Sequence, residues 1–494
     1  MSKRLYSWQA EAKQYYLKST KRVFSCVACP GAGKTHFALS LVQYLQASAT
    51  IDAAIITVHS KALKFQWLTV ASTIGLNFSS NLRGLEKGTV LTHQQYTQNE
   101  NLIEQILAIC KQKKILLISD EHHHLSDNRI WGEAMAKAFV SSKKVLLLSG
   151  TLFRHDDGII PFVTYDENGV SQPDYEYSYK RALSDRVVAP IFFPVYGGKA
   201  QWRYGTEGSI ASFGDELSLI GKNRQLVTAV TSFDWLNAVL SEAVERLLLL
   251  RKSHPAAAGL LIAKDTEHAR YLAGLLENIT GNPPVLAISD EPQAHQQIED
   301  FGKEESGDCW LVAIKMVSEG IDIPRLRVGI FATNITTELF FRQLVGRLIR
   351  ISKNCSWASP NYLYLPGHTL LIDYARNYAQ ERSHILNLEN WLERGRIDLL
   401  KERELFEPLS AKASVLETIS AVPAVGETAL EQLERSLLKL DFILDETTAL
   451  KEELINLRYS LVSPKDTSQV DFKETNFADR EARHVVPLPT INFC

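Results

Sequence analysis

The chain has 494 residues, 45% of them hydrophobic and 22% charged, with a formal net charge of −3. That length suits about three domains, and that composition an ordinary globular protein needing neither disulfide nor metal staples. The charge balance excludes a protein that is basic overall, so any polyanionic partner must be met by positive charge gathered in a groove.

Six cysteines are present, and Cys26 and Cys29 form a C-x-x-C with no second pair at zinc spacing. They read as buried thiols, which suits a cytoplasmic protein. The first residues, MSKRLYSWQAEAKQYY, lack the apolar stretch of a signal peptide. No apolar run approaches the roughly 20 residues of a spanning helix, so no membrane partner is expected.

In chain order, apolar β-branched runs alternate with helical stretches: VFSCVA (23–28), AAIITV (53–58), ILLIS (115–119) and VLLLS (145–149). Strands separated by helices imply βαβ units and a parallel sheet covered on both faces. The stretch from about Asp156 to Gly221, rich in Gly, Pro, Tyr and Asp, reads as a linker or insertion with some irregular strands, its domain bounds set at 166–235. Alternation resumes with GLLIA (259–263), PVLAIS (284–289), CWLVAI (309–314) and RVGIFA (327–332). YLYLP (362–366) or TLLID (369–373) closes the second unit. Beyond it the chain reads as helical. Leucines at 430, 433, 437, 440 and 444, then at 450, 454, 457 and 461, suggest a two-helix hairpin broken at 445–448, ahead of a polar tail. Such a stripe packs on the protein's own body or docks a protein partner.

ACPGAGKT (28–35) stands between a strand and a helical stretch, the context of a phosphate-binding loop. Pro30, Gly31, Ala32, Gly33, Lys34 and Thr35 are the candidate nucleotide-binding residues. The glycines let backbone N–H groups close around phosphate oxygens, Lys34 reaches the β- and γ-phosphates, and the Thr35 hydroxyl is a ligand for Mg²⁺. ILLISDEHHH (115–124) puts Asp120 and Glu121 at the carboxyl end of a buried strand, where ligands bind in parallel sheets. Asp120 is the second candidate metal residue, and Glu121 the candidate base that orients and deprotonates a water. His122, His123 and His124 are neighbours in sequence and cannot all point at one ion on a regular element.

In this order the motifs resemble superfamily 2 helicases of the DExH kind, and most closely the branch that includes helicase subunits of restriction systems. The resemblance runs from about Leu5 to Arg350. RLYSWQAEA resembles the glutamine motif, which implies that Gln9 reads the adenine edge. VHSKAL (58–63), with Gln66 and Trp67, and VLTHQQ (90–95) resemble segments that grip phosphates of the bound strand. LSGTLFR (148–154) resembles motif III and LLIAK (260–264) motif IV. MVSEGIDIP (316–324) resembles motif V, implying that Gly320 allows close backbone approach and that Asp322 lies at the interdomain nucleotide face. QLVGRLIR (343–350) resembles motif VI, with Gln343, Arg347 and Arg350 as its candidate catalytic residues. Three apart on a helix, Arg347 and Arg350 share a face and can reach a γ-phosphate held by the first domain.

The reading is therefore an α/β protein of two RecA-like parallel-sheet domains in tandem with a helical C-terminal region. Its bounds are 1–165 for the first domain, 166–235 for the linker, 236–375 for the second domain and 376–494 for the helical region. The implied function is an ATP- and Mg²⁺-dependent helicase or translocase on nucleic acid, DNA favoured over RNA. A double-stranded DNA translocase serving a restriction or defence complex, and a nucleotide-gated binding switch, are the alternatives.

Overall fold

The computed structural model describes residues 5–99, 101–121, 141–150, 164–165, 171–288, 294–303, 307, 309–314, 323–351, 359–380 and 406–420. The first sheet is built from β1 (Val23–Ala28), β2 (Ala53–Val58), β3 (Gly88–Thr92), β4 (Ile115–Asp120), β5 (Lys144–Ser149) and β8 (Tyr175–Tyr177). All six strands run parallel, in the order β3-β2-β4-β5-β1-β8. A two-stranded ribbon, β6 (Thr164–Tyr165) and β7 (Ser171–Gln172), precedes β8.

Continuous apolar runs make these strands because helices cover both faces of the sheet. On β4, Leu116 and Ile118 enter the large core shared with Leu41 and Val42 of helix Lys34–Ala47. The alternate residues Ile115 and Leu117 enter a second core with Val145, Leu147 and Ile106 of helix Leu102–Gln112. The chemistry is thereby pushed to the strand ends.

The second sheet comprises β9 (Ile191–Tyr204), β10 (Glu207–Ser212), β11 (Ala258–Ala263), β12 (Val285–Ala287), β13 (Trp310–Ala313), β14 (Leu326–Ala332), β15 (Asn361–Pro366) and β16 (Phe406–Ser420). Its order is β10-β9-β15-β14-β11-β13-β12. From β12 to β15 all pairing is parallel, and the first half of β9 continues it, Asn361 standing opposite Ile191. The second half of β9 turns to antiparallel pairing with β10, and its free edge takes β16 antiparallel along almost its whole length. Gly198 makes that approach possible. Its φ is +109°, and a Cβ there would lie 1.6 Å from the Lys412 carbonyl oxygen.

Two readings from sequence are corrected here. Residues 166–235 do not stand apart as a linker: β8 completes the first sheet, while β9 belongs to the second. Thr369–Gln380 is a helix, so β15 alone closes the parallel run, whereas Phe406–Ser420, inside the region read as helical, is a strand. The long edge offered by β9 decides the latter, a tertiary effect that outweighs local pattern. The leucine-striped hairpin at 430–461 lies outside the described residues. Among those described, no helix is long and apolar enough to cross a membrane.

Candidate functional site

β1 ends at Ala28, and the loop through Gly33 delivers the chain into helix Lys34–Ala47. Gly31 (φ +79°) and Gly33 (φ +94°) hold left-handed conformations, which opens the loop around the helix N-terminus. Helix Ser7–Lys18 fastens this loop from outside. The Trp8 indole N–H donates to the Ala32 carbonyl at 3.2 Å, and its ring stacks on Tyr177 of β8 at 4.8 Å. Gln9 Nε2 donates to the Gly33 carbonyl at 2.9 Å, while Gln9 Oε1 accepts the Tyr6 backbone N–H at 2.9 Å. The amide that the resemblance assigns to adenine is therefore engaged with the loop backbone, beside the exposed ring of Tyr6.

Asp120 closes β4 and is buried, its Oδ2 accepting the Trp67 indole N–H at 2.8 Å. Burial, and then the charge of Glu121, push its carboxyl up to about 6, with Lys34, Trp67 and His59 pulling the other way. Glu121 follows in a left-handed conformation (φ +51°), which ends the strand and turns its side chain toward β5. Its Oε2 accepts the Ser149 hydroxyl at 3.3 Å and the Gly150 N–H at 3.0 Å. Its Oε1 stands 3.3 Å from Lys34 Nζ, which also donates to the Ala28 carbonyl at 3.4 Å.

The space between these groups is kept open by Gly150. A Cβ there would lie 2.9 Å from Lys34 Nζ, 3.2 Å from Pro30 Cγ and 3.3 Å from Glu121 Oε1. With the carboxylates of Glu121 and Asp120 beside Lys34, and Thr35 next in the helix, the donors available are hard oxygens. That donor set fits Mg²⁺ accompanying a phosphate better than a softer metal.

The second domain supplies the other wall. In helix Glu338–Leu348, Gly346 lies against the phosphate loop so closely that a Cβ would stand 2.3 Å from Pro30 Cβ. Arg350 crosses Gly31, where a Cβ would meet Arg350 Cγ at 3.2 Å, and Arg350 Nε donates to the Gly346 carbonyl at 3.4 Å. Arg327, buried on β14, donates to the carbonyls of Pro324 (2.8 Å) and Arg350 (3.4 Å), joining the segment before β14 to the end of the arginine helix. Arg347 sits half-buried in the last turn of the helix, and Gln343 in its middle has a buried side-chain oxygen with no hydrogen-bond partner among the described residues.

The geometry thus brings Pro30, Gly31, Lys34, Glu121 and Arg350 to one cleft, with Asp120 at its floor. Gly320, Asp322, the histidines 122–124 and residues 151–154 lie outside the described residues. Sequence reasoning missed the Gly150 cradle, the Gly346–Pro30 contact and the bond from Trp67 to Asp120. The first two had a signal, each being a glycine within a recognised motif. The third had none, because its partners lie 53 residues apart.

Residues 2–154 match the family model described as type III restriction enzyme, res subunit. An uncharacterised protein of Mycobacterium leprae is 38% identical over 398 residues, covering 78% of this chain and 65% of that protein. One from Mycobacterium tuberculosis (strain H37Rv) is 37% identical over 395 residues, covering 77% and 64%. The chain therefore spans a little under two thirds of the length of these curated relatives. Among solved structures, a fragment from Vibrio vulnificus described as the HsdR subunit of a type I restriction enzyme aligns with a TM-score of 0.53 at 14% identity. It covers 75% of this chain and 65% of that one. The type ISP restriction-modification enzyme LlaBIII, bound to DNA, aligns with a TM-score of 0.50 at 14% identity, covering 74% and 28%. These two likenesses concern the fold: two RecA-like domains in tandem. By its motif order, its res-subunit segment and this fold, the chain resembles superfamily 2 helicases of the restriction-type branch.

Proposed function

We propose that the chain is a nucleic-acid-dependent ATPase of the DExH kind that converts closure and opening of the cleft into movement along DNA. The observation that carries this reading is the meeting of Lys34 and Glu121 at 3.3 Å, beside the loop that Arg350 of the opposite domain crosses at Gly31. A phosphate clamp, a base and an arginine from a second body are the parts that phosphoryl transfer to water requires.

Lys34 exchanges Glu121 for the β- and γ-phosphates when ATP enters. Glu121, still held through Oε2 by Ser149 and Gly150, then turns Oε1 to orient a water and take its proton as the water oxygen bonds to the γ-phosphorus. The bond from that phosphorus to the bridging oxygen breaks, leaving ADP and phosphate. Thr35 and Asp120 would hold Mg²⁺, which would offset charge on the phosphate oxygens. Arg347 and Arg350 neutralise the charge gathering on the transferred group. Once phosphate leaves, the attraction across the cleft falls and the domains part.

Gln9 and Tyr6 border the adenine end, and the resemblance assigns Gly320 and Asp322 to the interdomain face. DNA is favoured over RNA by the restriction-type family. Because the relatives extend beyond this chain, a double-stranded DNA translocase working for a larger complex is the second reading, with the leucine-striped hairpin at 430–461 as a docking region for a protein partner. The test is steady-state ATP turnover with no nucleic acid, single-stranded DNA, duplex DNA and RNA, beside Glu121→Gln. Stimulation by one polymer that disappears in the variant supports the reading and names the substrate. A negligible rate under all four conditions overturns it.

A further inference from the structure

We propose that Trp67 is a positioning residue that aims the carboxylate of Asp120 and links it to the segment that grips the nucleic acid. The proposal rests on the ATPase reading above and deepens it, since it assigns a route by which strand binding acts on the hydrolytic site.

Trp67 is fully buried, and its single N–H donor is spent on Asp120 Oδ2 at 2.8 Å. Asp120 is itself buried, so a hydrogen bond to its charged form is charge-assisted and directional. With Oδ2 committed to the indole, Oδ1 is the oxygen left for the metal's shell. A donor placed behind a ligating carboxylate in this way fixes its orientation.

Trp67 is carried by helix Lys61–Thr73, which begins where β2 ends and is capped by the Ser60 hydroxyl accepting the Leu63 N–H at 3.2 Å. Three residues before Trp67, on the same face, Lys64 donates to the Ser80 carbonyl (2.6 Å) and to Gln95 Oε1 (2.8 Å). Gln95 Oε1 also accepts the Thr92 N–H at 2.9 Å, so the helix is tied to the carboxyl end of β3. The ends of β2 and β3, with His59 and His93 edge to face, are the two segments that resemble phosphate grips. A helical turn transmits displacement as a stiff rod. A strand that moves Ser60 to Lys64 therefore moves the Trp67 indole, and with it the aim of Asp120.

The test is a double-mutant cycle on the full chain with Trp67→Phe, Asp120→Asn and both together. The readout is equilibrium binding of a fluorescent ATP analogue with and without Mg²⁺ and with and without single-stranded DNA. In Trp67→Phe, binding without Mg²⁺ stays as in the wild type, while the tightening by Mg²⁺ falls about tenfold or more and the response to DNA disappears. Added to Asp120→Asn, Trp67→Phe changes the Mg²⁺ effect no further, because the indole acts through that carboxylate. Effects of the two substitutions that simply add, or a Trp67→Phe protein that loses binding with and without Mg²⁺ alike, assign Trp67 to packing and overturn the proposal. A wild-type chain that binds nucleotide with Mg²⁺ but ignores DNA sinks the nucleic-acid reading instead, and the loss of the Mg²⁺ effect in Trp67→Phe still reports the positioning role.

Discussion

Each domain buries a titratable side chain beside the carboxyl end of a central strand, and the two have opposite uses. In the first, burial raises Asp120 to about 6, and the group sits beside Glu121 and Lys34 at the floor of a cleft. In the second, burial and then the charge of Lys264 lower His268 to about 4, and its Nδ1 accepts the Lys264 backbone N–H at 3.2 Å. Asp120 keeps an oxygen for a ligand, whereas the imidazole closes the end of β11 and offers nothing outward. The acidic groups of the cleft are thus concentrated on the first sheet. The second domain contributes through helix Glu338–Leu348, which it presses against the phosphate loop. Under the proposed ATPase reading, the division implies that the second domain acts on the reaction across the cleft.

The largest expected effect follows from that arrangement. Arg350→Ala, and Arg347→Ala with it, should lower the turnover number by about 10³-fold or more and leave nucleotide affinity within a few-fold. Single-turnover hydrolysis with saturating DNA measures this. A turnover within tenfold of the wild type would break the division of labour, because the arginines would then be a solvated helix face.

Next comes the contact itself. Gly346→Ala places a methyl group where Pro30 Cβ stands 2.3 Å away, so either the helix or the loop must move. Overpacking of that kind costs about 1–3 kcal/mol, which predicts roughly a ten- to hundredfold fall in DNA-stimulated turnover with the first domain's nucleotide binding intact. Gly274→Ala is the control. It sits exposed on helix Thr266–Thr280 with nothing within 4 Å of the added carbon, so turnover stays and stability rises by up to about 1 kcal/mol. Equal effects of the two substitutions would mean that the Gly346 contact carries no closure.

Strands β1 and β2 were legible to the residue because each is an unbroken apolar run stopped by a loop signal. The phosphate loop and the Asp120–Glu121 pair were legible because each is contiguous in sequence and needs a strand end. Three features were not. The strand β9 reads as irregular from its Pro194 and its Gly197–Gly198 pair, yet those residues are what let one strand serve two sheet geometries. TLLID satisfies strand and helix patterns alike, and its place after β15, with Leu371 and Tyr374 turned to the core, decides for helix. The contact of Gly346 with Pro30 exists only once two domains meet, so the motif's glycine marks the position while its partner is not encoded locally.

The smallest effect on turnover, and the most direct comparison of the two buried groups, is the pH dependence of stability without nucleotide or metal. An unfolded imidazole takes up a proton below about 6.5, whereas His268 in the fold, whose Nδ1 already faces an N–H, does so only below about 4. Between those values the unfolded state binds more protons, so His268 contributes a loss of stability as pH falls, reaching about 3 kcal/mol at the acid end. Asp120 acts in the opposite sense. Its folded carboxyl binds a proton near 6 and its unfolded one near 3.8, so lowering the pH through that window stabilises the fold. Urea unfolding between pH 7.5 and 4.5 separates the two. His268→Gln, which keeps an acceptor for the Lys264 N–H, should lose less stability on acidification than the wild type, and Asp120→Asn should lose more. Slopes that shift the same way in both variants would show that burial does not move the two groups in opposite directions.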